Sequence, residues 1–365
     1  MKVVSGRIRR MGLAWIVVAL WGCSPNTQKT GATSPSPAAP GAVADIQIAD
    51  PKPYPFRFVA YGDMRSAENA SYAHRTIANA TARQQVIDQI GAEAPAFVVS
   101  TGDFVFRGFH AEDWTYFNKV IQPLRDRGIV IYPAIGNHEV GPFPNLWGPK
   151  VFKEIENDTH EHIAERGLRN YYKQFPAISQ KRWYSVRYAN CYFLILDSEL
   201  MDDASNAAQD QWLKTQLDSI PAGIDYVFVT LHRAPYTAFT DPVHRPGPRQ
   251  VALARMLETR QPGSHAHIIV ISGHVHNYER YRHNGVDYIV SGGGGAAQDK
   301  FKRAADDLYP HNTLYGKNDP ADEDQYHYCV IVVDHAKLTF RMMKLVAKGA
   351  SVTFEPRDGF EIPAN

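Results

Sequence analysis

The chain has 365 residues, with 39 Lys and Arg against 38 Asp and Glu, and three cysteines. Hydrophobic residues at 44% and charged residues at 21% exclude wholesale disorder and a fibrous fold. A formal charge of +1 gives no electrostatic footprint for a nucleic-acid partner, and three cysteines are too few for a disulfide scaffold.

Residues 1–22 read as an export signal. Lys2, Arg7, Arg9 and Arg10 stand there without an acid, and an apolar run from Met11 to Trp21 follows. The run is shorter than the ~20 apolar residues that span a bilayer. Its end, Leu20-Trp21-Gly22-Cys23, resembles the lipobox of bacterial lipoproteins, although Trp21 is bulkier than that motif usually takes. The resemblance implies cleavage before Cys23 and a lipid anchor on its thiol, which makes a membrane the partner. An ordinary secretory signal with an incidental Cys23 is the alternative. Ser24 stands where many such proteins retained at the inner membrane carry Asp, which favours an outer-membrane, periplasmic location. Loss of the four basic residues with the signal turns +1 into −3 for the mature chain. Residues 23–55, rich in Ser, Thr, Pro, Ala and Gly, read as a flexible tether.

From Phe56 the texture changes, and residues 56–347 read as one domain with a tail at 348–365. In chain order, β-rich runs at Phe56–Tyr61, Phe97–Ser100, Ile129–Ile135, Tyr226–Leu231 and Ile268–Ser272 alternate with helical patterns at Arg83–Glu93, Ala111–Arg125 and Ala207–Ser219. Two strand pairs look antiparallel: Tyr184–Tyr188 with Tyr192–Leu196, and Tyr328–Val333 with Lys337–Leu345. The insert Gly141–Pro176 carries His160 and His162 on a charged helical run, read as a solvated face, and Gln298–Gln325 reads as a polar inserted loop. The alternation predicts an α/β (α+β) domain with buried strands.

All five β-rich runs end on side chains that can bind a metal. They are Gly62-Asp63, Gly102-Asp103, Gly136-Asn137-His138-Glu139, His232, and Gly273-His274-Val275-His276. Taken singly, each reads as a turn, a cap or a solvated residue. Together, carboxylate, amide oxygen and imidazole form the mixed O/N set that suits Zn, Mn or Fe. They also stand at the carboxyl ends of strands, where open α/β sheets build their sites.

This ordered set resembles the calcineurin-like metallophosphoesterases. The stretches Gly273–Arg280 and Ser291–Gly295 are similar to the purple acid phosphatase branch, and the resemblance spans roughly Phe56 to Leu345. It implies a two-sheet β-sandwich flanked by helices, with two divalent ions (Fe, Mn or Zn) at one rim. It also implies hydrolysis of a phosphate-ester small molecule by a hydroxide bridging the ions. Carried over residue by residue, Asp63, Asp103 and His276 would hold the first ion. Asp103, Asn137, His232 and His274 would hold the second, with Asp103 shared. His138 would stand beside the ions as proton donor, and Glu139 would either orient His138 or sit in water as a loop carboxylate. A phosphodiesterase or nucleotidase on the same site is one alternative; a non-catalytic metal- or phosphate-binding lipoprotein is another.

Two positions depart from the family pattern. Purple acid phosphatases carry Tyr three residues after the shared Asp, where this chain has Phe106. The missing phenolate leads to the expectation of a redox-inert, ferrous or manganous site without tyrosinate colour. The wider family often has His two residues after the first Asp, where this chain has Arg65, so the first ion is left with three side chains. Arg65 either clamps a phosphate oxygen or pairs with a nearby carboxylate and braces its loop. His74 is disfavoured as a replacement ligand. Arg233 either helps hold an anion or faces solvent. Aromatic residues near the motif loops, among them Phe104, Trp114, Phe143, Trp147 and Tyr236, read for the most part as packing, with stacking on a nucleobase or aryl leaving group as the alternative. Cys191 and Cys329 read as a reduced buried pair, with a disulfide as the alternative.

Overall fold

Runs buried on both faces lose the polar–apolar alternation and read as continuous apolar stretches. In the computed structural model those runs form the middle of two sheets. Residues 46–48, 51, 53–68, 71–72, 75–141, 158–299, 326–349 and 351–365 are described. The export signal, the lipobox, most of the tether, His74, Phe143, Trp147 and the stretch 300–325 lie outside them.

The strands are β1 (Ile46–Gln47), β2 (Phe56–Tyr61), β3 (Ser71–Tyr72), β4 (Arg75–Thr76), β5 (Phe97–Ser100), β6 (Val130–Pro133), β7 (Tyr184–Tyr188), β8 (Cys191–Ile195), β9 (Tyr226–Arg233), β10 (His267–Gly273), β11 (Tyr278–His283), β12 (Val286–Ser291), β13 (His327–Val333), β14 (Lys337–Lys348) and β15 (Ser351–Pro363). The first sheet runs β1-β7-β8-β9-β10-β12-β11 and the second β15-β14-β13-β2-β5-β6. β8, β9, β10 and β12 are parallel neighbours, as are β2, β5 and β6. Several strands that carry site residues therefore deliver their carboxyl ends to one rim.

Aromatic side chains join the sheets. Phe58 of β2 stacks on Phe97 of β5 with centroids 5.3 Å apart, and meets Phe193 of β8 and Phe228 of β9 edge-on at 5.0 Å each. Helices Asp203–Asp218 and Pro248–Arg260 cover the first sheet through Leu213, Leu217 and Leu257. Helices Ala80–Glu93 and Ala111–Val120 pack Val86, Ile90, Trp114 and Phe117 against the core beside the second. The expected two-sheet, helix-flanked architecture is present.

Local chemistry sets the helix ends. Asp202 accepts from Ser205 N at 2.7 Å, so helix Asp203–Asp218 starts at Asp203, before the periodic apolar residues begin. The pattern at Ala111–Arg125 divides at Ile121, where Pro123 removes a helical N–H from the following short helix Gln122–Arg125. His160 and His162 lie exposed on helix His160–Gln174. Cys191 and Cys329 are buried free thiols.

Two segments are more ordered than their composition suggests. Ser351–Pro363, in the expected tail, pairs along the whole of β14. Its prolines are tolerated because β15 is an edge strand, and the register shift between Met342 and Met343 leaves Arg357 unpaired immediately after Pro356. Ile46–Gln47, within the expected tether, pairs with β7.

Candidate metal centre

Asp63 follows β2, Asp103 follows β5 and Asn137 opens the short turn after β6, so these three come from the second sheet. His232 lies near the end of β9, and His274 and His276 follow β10, so these come from the first. All six are buried. Asp63, Asp103 and His274 hold left-handed backbones with φ of 60°, 55° and 70°. Each such residue costs about 1–3 kcal/mol, a strain characteristic of functional loops. A Cβ on Gly136 would lie 2.3 Å from Asp103 Oδ1, and one on Gly273 would lie 2.2 Å from Asp63 Oδ2. Only glycine lets the loops come this close.

The six side chains converge in two overlapping sets. One ligand atom each from Asp63, Asp103 and His276 lies within 4.8 Å of the others. In the second set His232 Nε2 stands 2.9 Å from Asn137 Oδ1, 3.4 Å from Asp103 Oδ1 and 3.2 Å from His274 Nδ1. Asp103 belongs to both sets. Asp103 Oδ2 and His276 Nε2 have no hydrogen-bond partner among the described residues.

The far nitrogen of each histidine meets a backbone carbonyl, which can only accept. His232 Nδ1 lies 2.8 Å from Thr101 O, His274 Nε2 2.9 Å from Val243 O, and His276 Nδ1 2.8 Å from Ala297 O. His138 Nδ1 lies 2.6 Å from Phe106 O. The proton of each neutral ring is thereby placed outward, and the inward nitrogen presents a lone pair. His232 and His274 turn such lone pairs on each other beside an amide oxygen and a carboxylate. Of these four acceptors only Asp103 Oδ1 has a donor among the described residues, His138 N at 2.9 Å; the cluster fits a cation, and the donor set is one that divalent transition ions take.

A family model for calcineurin-like phosphoesterases matches residues 43–278. The chain belongs to this family. Purple acid phosphatase 22 of Arabidopsis thaliana is 23% identical over 234 residues, covering 64% of this chain and 46% of its own length. Probable inactive purple acid phosphatase 1 of the same plant is 24% identical over 319 residues, covering 78% and 47%. The chain thus spans about half the length of the curated relatives it matches. Purple acid phosphatase PPD1 from yellow lupin (Lupinus luteus) seeds shares the fold with a TM-score of 0.57 at 20% identity, over 86% of this chain and 54% of that one.

Within this calcineurin-like site the charges are unevenly held. Burial, with the Asp103 charge beside it, pushes the Asp63 carboxyl well above the usual range. Burial acts the same way on Asp103, but His232, His138 and Arg65 outweigh it and hold that carboxyl well below the usual range. Burial, then the Arg65 guanidinium, lowers His138 to about 4 and His276 to about 3, so both rings are neutral at pH 7.

Three neighbours differ from expectation or narrow it. Glu139 neither orients His138 nor meets water. It is buried, with Oε2 accepting from Asp103 N and Gly136 N at 2.8 Å each and Oε1 from Phe104 N at 2.9 Å. Adjacent residues of a helical turn point different ways, so Glu139 binds the backbone while Phe106 O orients His138. Arg233 does not face solvent freely, because Glu199 grips it with Nε–Oε1 at 2.8 Å and Nη2–Oε2 at 3.2 Å. Arg65 reaches into the site, with Nε 3.6 Å from Asp103 Oδ2.

Two residues near the ligands escape the motif reading. His244 lies between Asp241 Oδ2 at 2.9 Å and Asp299 Oδ2 at 3.2 Å, and Asp299 Oδ2 also accepts from His276 N at 2.9 Å. Asp299 opens the polar loop and His244 lies in a proline-rich connection, so neither follows a strand and no spacing marks them.

Proposed function

We propose that this chain is a metal-dependent phosphoric ester hydrolase. Its dinuclear divalent centre would be held by Asp63, Asp103 and His276 on one side and by Asp103, Asn137, His232 and His274 on the other. The observation that carries the reading is the convergence of carboxylate oxygens with imidazole lone pairs, the ring protons being committed to outward carbonyls. Two divalent ions bound there would supply a nucleophile at neutral pH and stabilise charge on the phosphoryl group.

The chain's own residues do the rest. The left-handed turns at Asp63, Asp103 and His274 fix the direction from which each side chain enters. His138 Nε2 points inward, 3.9 Å from Asp103 Oδ2, and handles the proton at that atom. It begins neutral, so the donor role requires it to gain a proton within the site. Arg65 offers guanidinium donors to a phosphate oxygen while its Nε lies beside Asp103.

Metal analysis, together with mono- and bis-aryl phosphates assayed with Mn²⁺, Zn²⁺ and Fe²⁺, tests the reading. Two ions per chain with hydrolysis are expected, and the preferred ester separates phosphatase from phosphodiesterase. With phenylalanine at 106, no intense visible band is expected from the holoprotein. The three-residue first set favours a second reading, a non-catalytic metal-binding protein. One ion or none, without hydrolysis, would decide for it.

Export as a lipid-anchored protein is also part of the proposal, supported by the basic and apolar residues 1–22 and by Leu20–Cys23. Palmitate labelling of the wild type and its loss in Cys23→Ala is the expected result.

A further inference from the structure

Glu279, three residues after His276, is fully buried at the start of β11. Its carboxylate accepts from four neutral donors: Ala238 N at 2.9 Å, Thr237 Oγ1 at 3.1 Å, Asn277 Nδ2 at 2.8 Å and the Tyr281 hydroxyl. No cation is among these partners. Burying a carboxylate without a counter-ion is costly, and the cross-strand partner of this one, Val290, belongs to a small apolar cluster with Ala234 and Val275. Two of its four bonds go to the connection that leaves β9. There Thr237 Oγ1 also accepts from Phe239 N at 3.2 Å, which closes a turn. The same connection runs on to Val243, whose carbonyl lies 2.9 Å from His274 Nε2.

His274 Nε2 has a second neighbour with the opposite demand. Arg233 Nη1 lies 3.1 Å away and carries only donors. The Val243 carbonyl requires a proton on Nε2 and leaves Nδ1 free to face His232. The guanidinium asks for a lone pair on Nε2, which would move the proton to Nδ1 and close the inward position. The balance depends on how firmly the Val243 carbonyl is held in place.

We propose that Glu279 is a positioning residue for His274: by anchoring the Thr237–Ala238 turn it holds the Val243 carbonyl against Nε2 and keeps Nδ1 deprotonated. The consequence for ion binding rests on reading His274 as a ligand of the second ion. The tautomer itself does not, so the two readings can fail separately.

The experiment uses ¹⁵N-labelled apoprotein, with long-range ¹H–¹⁵N spectra of the His274 ring, and Mn²⁺ titration of the same samples. Glu279→Gln keeps the side-chain volume but aims an amide at groups that are themselves donors. The wild type is expected to show the Nε2–H form. The variant is expected to show a substantial Nδ1–H population and a roughly 10–100-fold loss of affinity for one ion, the scale set by losing an outer partner of a metal-ligating histidine. Adding Arg233→Ala removes the competing donor and is expected to restore the Nε2–H form and the lost affinity, which a general loss of stability would not permit. Should Glu279→Gln fail to fold, Thr237→Val, which removes one of the four donors, is expected to shift the tautomer in the same direction. A wild-type Nε2–H ring retained in the folded variant, or a double variant no better than the single, overturns the proposal. A shifted tautomer with Mn²⁺ binding intact would uphold the positioning role and remove His274 from the ligand set.

Discussion

The His138 ring meets the Phe106 carbonyl through Nδ1 and lies within 4 Å of the shared carboxylate, yet it supplies no atom to either converging set. His138→Ala is therefore expected to retain both ions by elemental analysis. It should lose about 10²–10⁴-fold in kcat, most severely with poor leaving groups. Loss of the ions would mean that His138 holds the site together instead. Asp197 gives a residue-scale prediction about stability. Burial, partly opposed by Arg182, raises its carboxyl from 3.8 to about 6. The folded chain thus keeps a proton between those values that the unfolded chain has released. The associated stability is full below pH 3.8 and is lost as pH rises through about 6. Asp197→Asn lacks this dependence, so between pH 4 and 7 the wild type should lose more stability than the variant in denaturant midpoints. Single residues were legible to different degrees. Asp63, Asp103, His274 and His276 could be read because each stands beside a glycine or its partner histidine at a strand end. Glu139 and Glu279 could not, because their partners are backbone groups on distant loops that leave no mark in the one-dimensional pattern.

Elements carry the next level of specification. β5, β9 and β10 could be found from sequence because burial on both faces makes them nearly continuous apolar runs, and β2 because only the exposed Arg57 breaks its run. β15 could not, because Pro356, Gly359 and Pro363 read as breakers until the edge position and the register shift explain them. Its anchoring is visible only in three dimensions, where Phe360 stacks on Phe340 with centroids 4.7 Å apart and Ile362 is buried. The Phe58, Phe97, Phe193 and Phe228 group joins four strands, three of which lead to proposed ligands. Phe58→Ala should therefore cost about 3–5 kcal/mol, read from the denaturant midpoint. The variant should also bind metal more weakly, because the alignment of β2 with β9 depends on that contact. A loss below about 1 kcal/mol would mean that the sheets can close over the gap.

At the scale of the whole domain, the proposed ligands divide evenly between the sheets. Asp63, Asp103 and Asn137 come from one, and His232, His274 and His276 from the other. An ion shared by Asp103 and His232 would join the two layers at the rim, while the aromatic contacts join them in the interior. A ligand bound only by the folded state adds about 2.7 kcal/mol at a hundred times its dissociation constant, so chelation should lower the melting temperature and metal should restore it. Deuterium uptake after chelation should rise first around Asn137 and His232 and leave the Phe58 neighbourhood protected. An equal rise in both places would mean that the rim and interior open together. A rim that opens without its ions would expose backbone there to proteases, so metal supply would set the working lifetime of the domain as well as its chemistry.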